Sequence, residues 1–297
     1  MVRKRKAGKR LIVPLVADTH SGHKLGLQQP DLELMDEHGE TYTPGLKTEF
    51  QKYLNDLYQK HMDEVADLAD GYPVLLTHNG DVTHGMRFAQ HLSLVTTHDQ
   101  IEGAFCNLRR WYEHPRINLV GTRILFGTEI HNDGAGTSEA EVCRRLQLAY
   151  PKIDTRISYH SVLTFDKQNG DGVDLAHHGP FPGSRKWLEG NSAGWYLKDA
   201  MLRELLDGDT PPRIYARAHY HTYVSVQQRV QAGGAEYASD LIILPSYSGI
   251  DDYVRKATRS KTKIQNGMVV LEFEGGFRKA HVLKEETDVR TKERFDL

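Results

Sequence analysis

The sequence predicts an α/β fold built around a parallel sheet, on three observations. Short, nearly continuous apolar runs at residues 11–17, 74–77 and 123–126 read as strands buried on both faces. Amphipathic helical periodicity fills the intervals between them. Each run ends in a polar cluster, as strands do when their carboxyl ends open onto a ligand crevice. Strand, helix, strand, helix is the order that gives parallel strands with helices packed on them.

The first strand, LIVPLVA, stops at Asp18. Residues 21–47 follow without clear periodicity and are an insertion, placed where it would shape the mouth of a pocket. Tyr53, Leu54, Leu57, Met62, Val65 and Leu68 mark a helix over residues 50–68, and further helical patterns cover about 100–112 and 138–150. Beyond Pro151 the texture changes to closely spaced strands, at 158–165, 172–176, 213–217, 223–229, 241–244, 268–273 and 279–282, with one helix near 193–206. That spacing predicts a more antiparallel second half. With no linker between the halves, the expected organisation is a basic arm at 1–10, one domain over 11–283 and a charged tail at 284–297.

The 297 residues carry 38 Lys+Arg against 40 Asp+Glu, a net charge of -2, which excludes a bulk polycation. No apolar run approaches the ~20 residues of a membrane span, and the N-terminal residues show no signal-type cleavage site. The expectation is a soluble, cytoplasmic protein with no membrane partner. Cys106 and Cys143 sit in helical patterns and read as core rather than as a disulfide or thiolate site. Histidine is the unusual component, at 16 residues against 9 phenylalanines, which directs attention to metal or acid/base chemistry.

The polar clusters are Asp18-Thr19-His20, Gly80-Asp81-Val82-Thr83-His84-Gly85 and Gly127-Thr128-Glu129-Ile130-His131, with His177-His178-Gly179 and Ala218-His219-Tyr220-His221 in the second half. Carboxylate and imidazole donors without thiolates suit manganese, iron, zinc or nickel, and magnesium or calcium less well. One ion rarely takes more than about six protein ligands. At least six candidates are present here, so two ions sharing a carboxylate are expected.

These clusters resemble, in order and spacing, the calcineurin-like metallophosphoesterase superfamily, whose pattern is D-x-H, G-D-x-x-D/H, G-N-H-D/E, a His before Gly, and G-H-x-H. The likeness extends over residues 11–282. It implies a four-layer αββα sandwich of two mixed β-sheets flanked by helices, with two divalent metals at the sheet ends, manganese first and iron, zinc, nickel or magnesium as alternatives. By motif, Asp18, His20 and His221 correspond to ligands of the first metal, Asp81 to the bridge, and His178 and His219 to ligands of the second. His178 is preferred over His177 because it directly precedes Gly179. Where the family has Asn, either Thr128 or Glu129 must substitute; Glu129, an anionic oxygen donor, is the preferred ligand. The implied reaction is in-line attack on phosphorus by water activated between the metals, with His131 or His84 protonating the departing oxygen.

Other features weigh less. Arg87 and Arg185, with Lys186, stand where a substrate phosphate would need a cation, and the basic arm is a candidate grip for nucleic acid although a solvated tail is the commoner outcome. His38, His61, His98, His114 and His281 read as ordinary core or surface residues; His23, His78 and His160 are left open between a site role and the surface, with the surface favoured. Gly190-Asn191-Ser192-Ala193-Gly194 matches a serine-hydrolase elbow but lacks the preceding strand, so Asn191 or Ser192 is expected to cap a helix. Gly134-Ala135-Gly136 lacks the third glycine of a dinucleotide loop. The leading expectation is a phosphodiesterase or nuclease, because His84-Gly85 stands where protein phosphatases of the family carry Asp-Arg-Gly. A phosphomonoesterase and a non-catalytic metal-binding scaffold are the alternatives.

Overall fold

The computed structural model describes residues 10–131, 137–166, 171–183, 185–250 and 262–293. The basic residues Arg3, Lys4, Arg5, Lys6 and Lys9, and the Gly134-Ala135-Gly136 segment, lie outside the described residues. The chain runs β1 (Arg10–Val16), β2 (Leu34–Met35), β3 (Thr41–Tyr42), α1 (Glu49–Ala69), β4 (Pro73–His78), α2 (Thr97–Glu113), β5 (Asn118–Leu125), α3 (Thr137–Ala149), β6 (Asp154–Ser158) and β7 (His160–Asp166). It continues through β8 (Asp171–Ala176), α4 (Asn191–Asp207), β9 (Ile214–Arg217), β10 (Val224–Ala232), β11 (Ala235–Ile243), β12 (Lys263–Glu274) and β13 (Phe277–Asp288).

Two mixed sheets carry most of these strands. One has six strands in the order β13-β12-β1-β4-β5-β6, and the other has five, in the order β10-β11-β9-β8-β7. The expected parallel ladder of β1, β4 and β5 is extended by β6 and joined to the antiparallel β12 and β13. In the second sheet β8, β9 and β11 run parallel and the outer strands antiparallel. The apolar run of β1 follows from burial on both faces. Ile12 and Val16 belong to a core shared with residues of α1, α2 and α3, whereas Val13, Leu15 and Ala17 share a second core with residues of the five-stranded sheet such as Val173, Leu175 and Ala216. Truncating a side chain in this second core, Leu15 for example, would cost about 2–5 kcal/mol. A third core sets Ala193, Leu197 and Met201 of α4 against Tyr215, Leu241 and Ile243. Cys106 and Cys143 are buried free thiols.

Helix ends follow their local chemistry. Thr48 and Thr96 cap α1 and α2, accepting hydrogen bonds at Oγ1 from the backbone N–H of Gln51 and Asp99. The cap of α4 departs from expectation: Asn191 is the first helical residue, and Gly190, with φ 87°, occupies the cap without a side-chain bond. A loop rather than a strand precedes it, so no nucleophile elbow forms. The assignment of residues 284–297 to a tail also needs correcting, because β13 continues through Asp288 at the margin of the six-stranded sheet. Its charges are paired locally, Lys60 with Glu285 at 2.9 Å and Lys263 and Lys284 with Glu286 at 3.2 Å. The insertion is partly built into the fold: Ser21 bridges to Thr83, His23 to Leu92 and Gly26 to Ser248, and only its later part, with β2 and β3, is largely exposed. No helix among the described residues is long and apolar enough to cross a membrane.

Candidate metal centre

Parallel pairing of β1, β4 and β5 places the three turns that follow them side by side, and β8 and β9 bring two more from the other sheet. The backbone records how tightly these turns are made. Six described non-glycine residues have positive φ, and five of them are Asp18, His20, Asp81, His219 and His221, at 43° to 75°. Left-handed backbone at residues with a Cβ is costly and concentrates where side-chain placement is imposed by function. The sixth, Asp70, ends α1.

Two donor groups meet at one oxygen, Asp81 Oδ2. On one side Thr128 Oγ1 lies 3.2 Å from Asp81 Oδ2, 3.1 Å from His177 Nε2 and 3.1 Å from His219 Nδ1, and His177 Nε2 is 3.2 Å from Asp81 Oδ2. On the other side His20 Nε2 is 3.2 Å from His221 Nε2, 3.9 Å from Asp18 Oδ1 and 4.0 Å from Asp81 Oδ2, and His221 Nε2 is 3.5 Å from Asp18 Oδ1. Donors bound at about 2.1 Å to a tetrahedral ion stand roughly 3.4 Å apart, so both groups have the spacing of a ligand shell. One donor of this second group lacks any compensation, because Asp18 Oδ1 is buried with no hydrogen-bond partner, an arrangement that costs free energy unless something compensates it.

Tautomers are fixed from behind. His177 Nδ1–H donates to Asn79 O at 2.6 Å, so Nε2 faces the cluster. His131 Nδ1–H likewise donates to His84 O at 2.6 Å, leaving its Nε2 4.0 Å from Asp81 Oδ2. Burial lowers the pKa of His20 well below the usual imidazole value, with the neighbouring His131 adding to the effect. It lowers His219 to about 4. Burial opposes charge on His177 and Asp81 as well, yet their mutual attraction outweighs it, raising the imidazole and lowering the carboxyl.

Several expectations are revised. His177, passed over in favour of His178, is the buried imidazole against Asp81. His178 is exposed, although one of its nitrogens lies with those of His177 and His219 in a group spanning no more than 4.8 Å. Glu129 is exposed and belongs to none of the possible ligand groups among the described residues; Thr128 takes the place beside Asp81. The cause is local. Thr128 bonds Asp81 through both its N–H, at 2.6 Å, and its hydroxyl, and a 3-10 turn over Glu129–His131 follows. Three residues per turn bring position 131 back beside 128, which explains how His131, two places late in sequence, still reaches the cluster. His84 and His131 form a further group with His20. His23 and His78 are buried rather than surface groups, and burial lowers them to about 3 and about 4. The Arg87 and Arg185 side chains are exposed and lie over Phe88 and Trp187, at 5.9 and 5.4 Å. Compared with family models and with curated proteins, the chain matches none.

Proposed function

We propose that the chain is a dinuclear metallophosphoesterase of the calcineurin-like type, acting on phosphodiesters, with the three stacked cores forming a four-layer αββα sandwich. The single observation that carries this reading is the shared oxygen: Asp81 Oδ2 belongs to two donor groups drawn from the strand ends of both sheets. Asp18, His20 and His221 would hold one divalent cation with Asp81, and Thr128, His177 and His219 the other, with His178 beside them. Bound there, a pair of such ions supplies a water of lowered pKa and positive charge for the oxygens of an in-line displacement.

The protein's own groups do the rest. Asp81 fixes the spacing of the two donor groups through one carboxylate. Thr128, by donating its backbone N–H and hydroxyl to that carboxylate, prevents it from rotating away. His131, with Nδ1 committed to a carbonyl, presents Nε2 to the cluster and when protonated can deliver that proton to a departing oxygen. His84 positions His131 through its backbone carbonyl. The diester preference rests on His84 in place of the phosphatase-type Asp-Arg-Gly, and the buried free thiols fit a reducing, cytoplasmic compartment.

Metal analysis of the purified protein, combined with manganese-dependent hydrolysis of bis-p-nitrophenyl phosphate and p-nitrophenyl phosphate, tests the reading. Two ions per chain and diester turnover are expected, while turnover confined to the monoester would replace it with a phosphomonoesterase. His131→Asn should retain both ions and lose about 10²–10⁴-fold in turnover; loss of metal with unchanged turnover per remaining ion would remove the acid role.

A further inference from the structure

Beyond the metal centre the surface continues as an aromatic ledge. The His219 ring adjoins Tyr220 at 5.1 Å, and Tyr220 meets Phe181 edge-on at 5.6 Å. The same Tyr220 donates its hydroxyl to Gly179 O at 3.3 Å, which ties the ledge to the segment bearing His177 and His178. Phe181 is 50% exposed and Trp187 74% exposed, with the Arg185 guanidinium 5.4 Å from the Trp187 ring centre. The loop closes where Gly190 N–H donates to Pro182 O at 2.9 Å. Gly190 also lines an open groove of about 490 Å³, whose walls include Trp195, Lys198, Asn191, Gln227 and Gln228, with Glu189 as the carboxylate among them. Trp195 is 73% exposed and Lys198 lies 5.9 Å from its ring centre.

Large aromatic side chains left this exposed add little to the packing of their own fold. The Trp187 ring is accompanied by the Arg185 guanidinium and the Trp195 ring by the Lys198 ammonium, and the groove adds the side-chain amides of Asn191, Gln227 and Gln228 beside Val226. Aromatic faces interleaved with cations and amides match an unpaired nucleic-acid strand, whose bases offer free π-faces and whose backbone is anionic. A duplex hides those faces in its own stack. The ring contacts lead outward from His219 through Tyr220 to Phe181, so a strand stacked there would bring its phosphodiester backbone toward Asp81 and its neighbours.

We propose that the ledge formed by Tyr220, Phe181 and Trp187, together with the groove under Trp195, is a stacking subsite for single-stranded nucleic acid. The proposal rests on the phosphodiesterase reading and names its substrate class.

The test is fluorescence anisotropy of the full chain, with EDTA present to stop cleavage, on labelled twelve-nucleotide probes: oligo-dT, the same backbone with abasic sites, and a duplex. Wild type should bind oligo-dT about tenfold more tightly than the abasic strand, in keeping with one stacked base. Phe181→Ala and Trp187→Ala should each weaken oligo-dT binding about three- to tenfold and leave the abasic strand unaffected. Lys198→Ala should reduce the salt dependence by about one unit of slope. Equal binding of oligo-dT and abasic strand, tighter binding of the duplex, or unchanged oligo-dT binding in both aromatic variants would overturn the subsite. The two readings fail separately. Diester hydrolysis without base discrimination removes the subsite alone, and base discrimination without any ester hydrolysis removes the hydrolytic reading alone.

Discussion

On the Thr128 side of Asp81 the donor contacts run from 3.1 to 3.2 Å, and on the Asp18 side from 3.2 to 4.0 Å. The closer group is held in place: Asn79 O fixes the His177 ring from outside, and within the group Thr128 is bonded to the carboxylate at two atoms. In the wider group His20 Nδ1 has no hydrogen-bond partner and Asp18 Oδ1 is equally unsatisfied. The difference teaches that the same donor types can be preorganised to different degrees within one cluster. On the proposed metal-binding reading, the Thr128 side would be assembled before an ion arrives, whereas the Asp18 side would draw together around one.

The largest test of this contrast removes what the two sides share. Asp81→Asn should lower metal content from two ions per chain to less than one and cut manganese-dependent diester turnover by at least about 10³-fold; retention of both ions would show that the groups do not depend on Asp81. A sharper test stays on the Thr128 side. His177→Ala should cost one ion and about 10²-fold in turnover, and His178→Ala, whose side chain is exposed, about tenfold or less with both ions kept. If the ion is lost from the second variant and not the first, the pairing with Asp81 has been misassigned.

The smallest effect concerns the scaffold beneath. His61 Nδ1 lies 2.7 Å from the Tyr247 hydroxyl in the core beside α1, and burial lowers its pKa from 6.5 to about 4. The unfolded chain therefore takes up a proton near pH 6.5 that the folded chain refuses until about pH 4, so unfolding binds protons within that window. The stability this contributes is present above about pH 6.5 and is lost as pH falls toward 4. Urea midpoints should drop more steeply for wild type than for His61→Gln between pH 7 and 4.5, by about 2 kcal/mol in total. Parallel profiles would mean that His61 is not the group responsible.

What the sequence made legible follows from how much of each decision was local. The strands β1 and β4 announce themselves because burial on both faces demands an unbroken apolar run, and Asp18 and Asp81 are found because they stand just past such runs. The strand β6, DTRIS, carries no apolar signature in the sequence, since an edge position lets charged residues occupy it. The choice between His177 and His178 could not be made from composition, because both rings reach the same group of nitrogens and only burial against Asp81 separates them. Glu129 was preferred for its charge, but a turn geometry that bonds Thr128 twice to Asp81 overrode donor chemistry.

The extension of β13 through Asp288 has a consequence for the molecule in crowded solution. An outermost strand leaves a row of amide and carbonyl groups that could recruit a neighbour into a growing ribbon. Arg278, Lys279, Lys284, Glu285 and Glu286 stand along it, so any such union would have to strip water from a line of charge. The composition that disguised this strand as a tail is thus its guard against fibre formation.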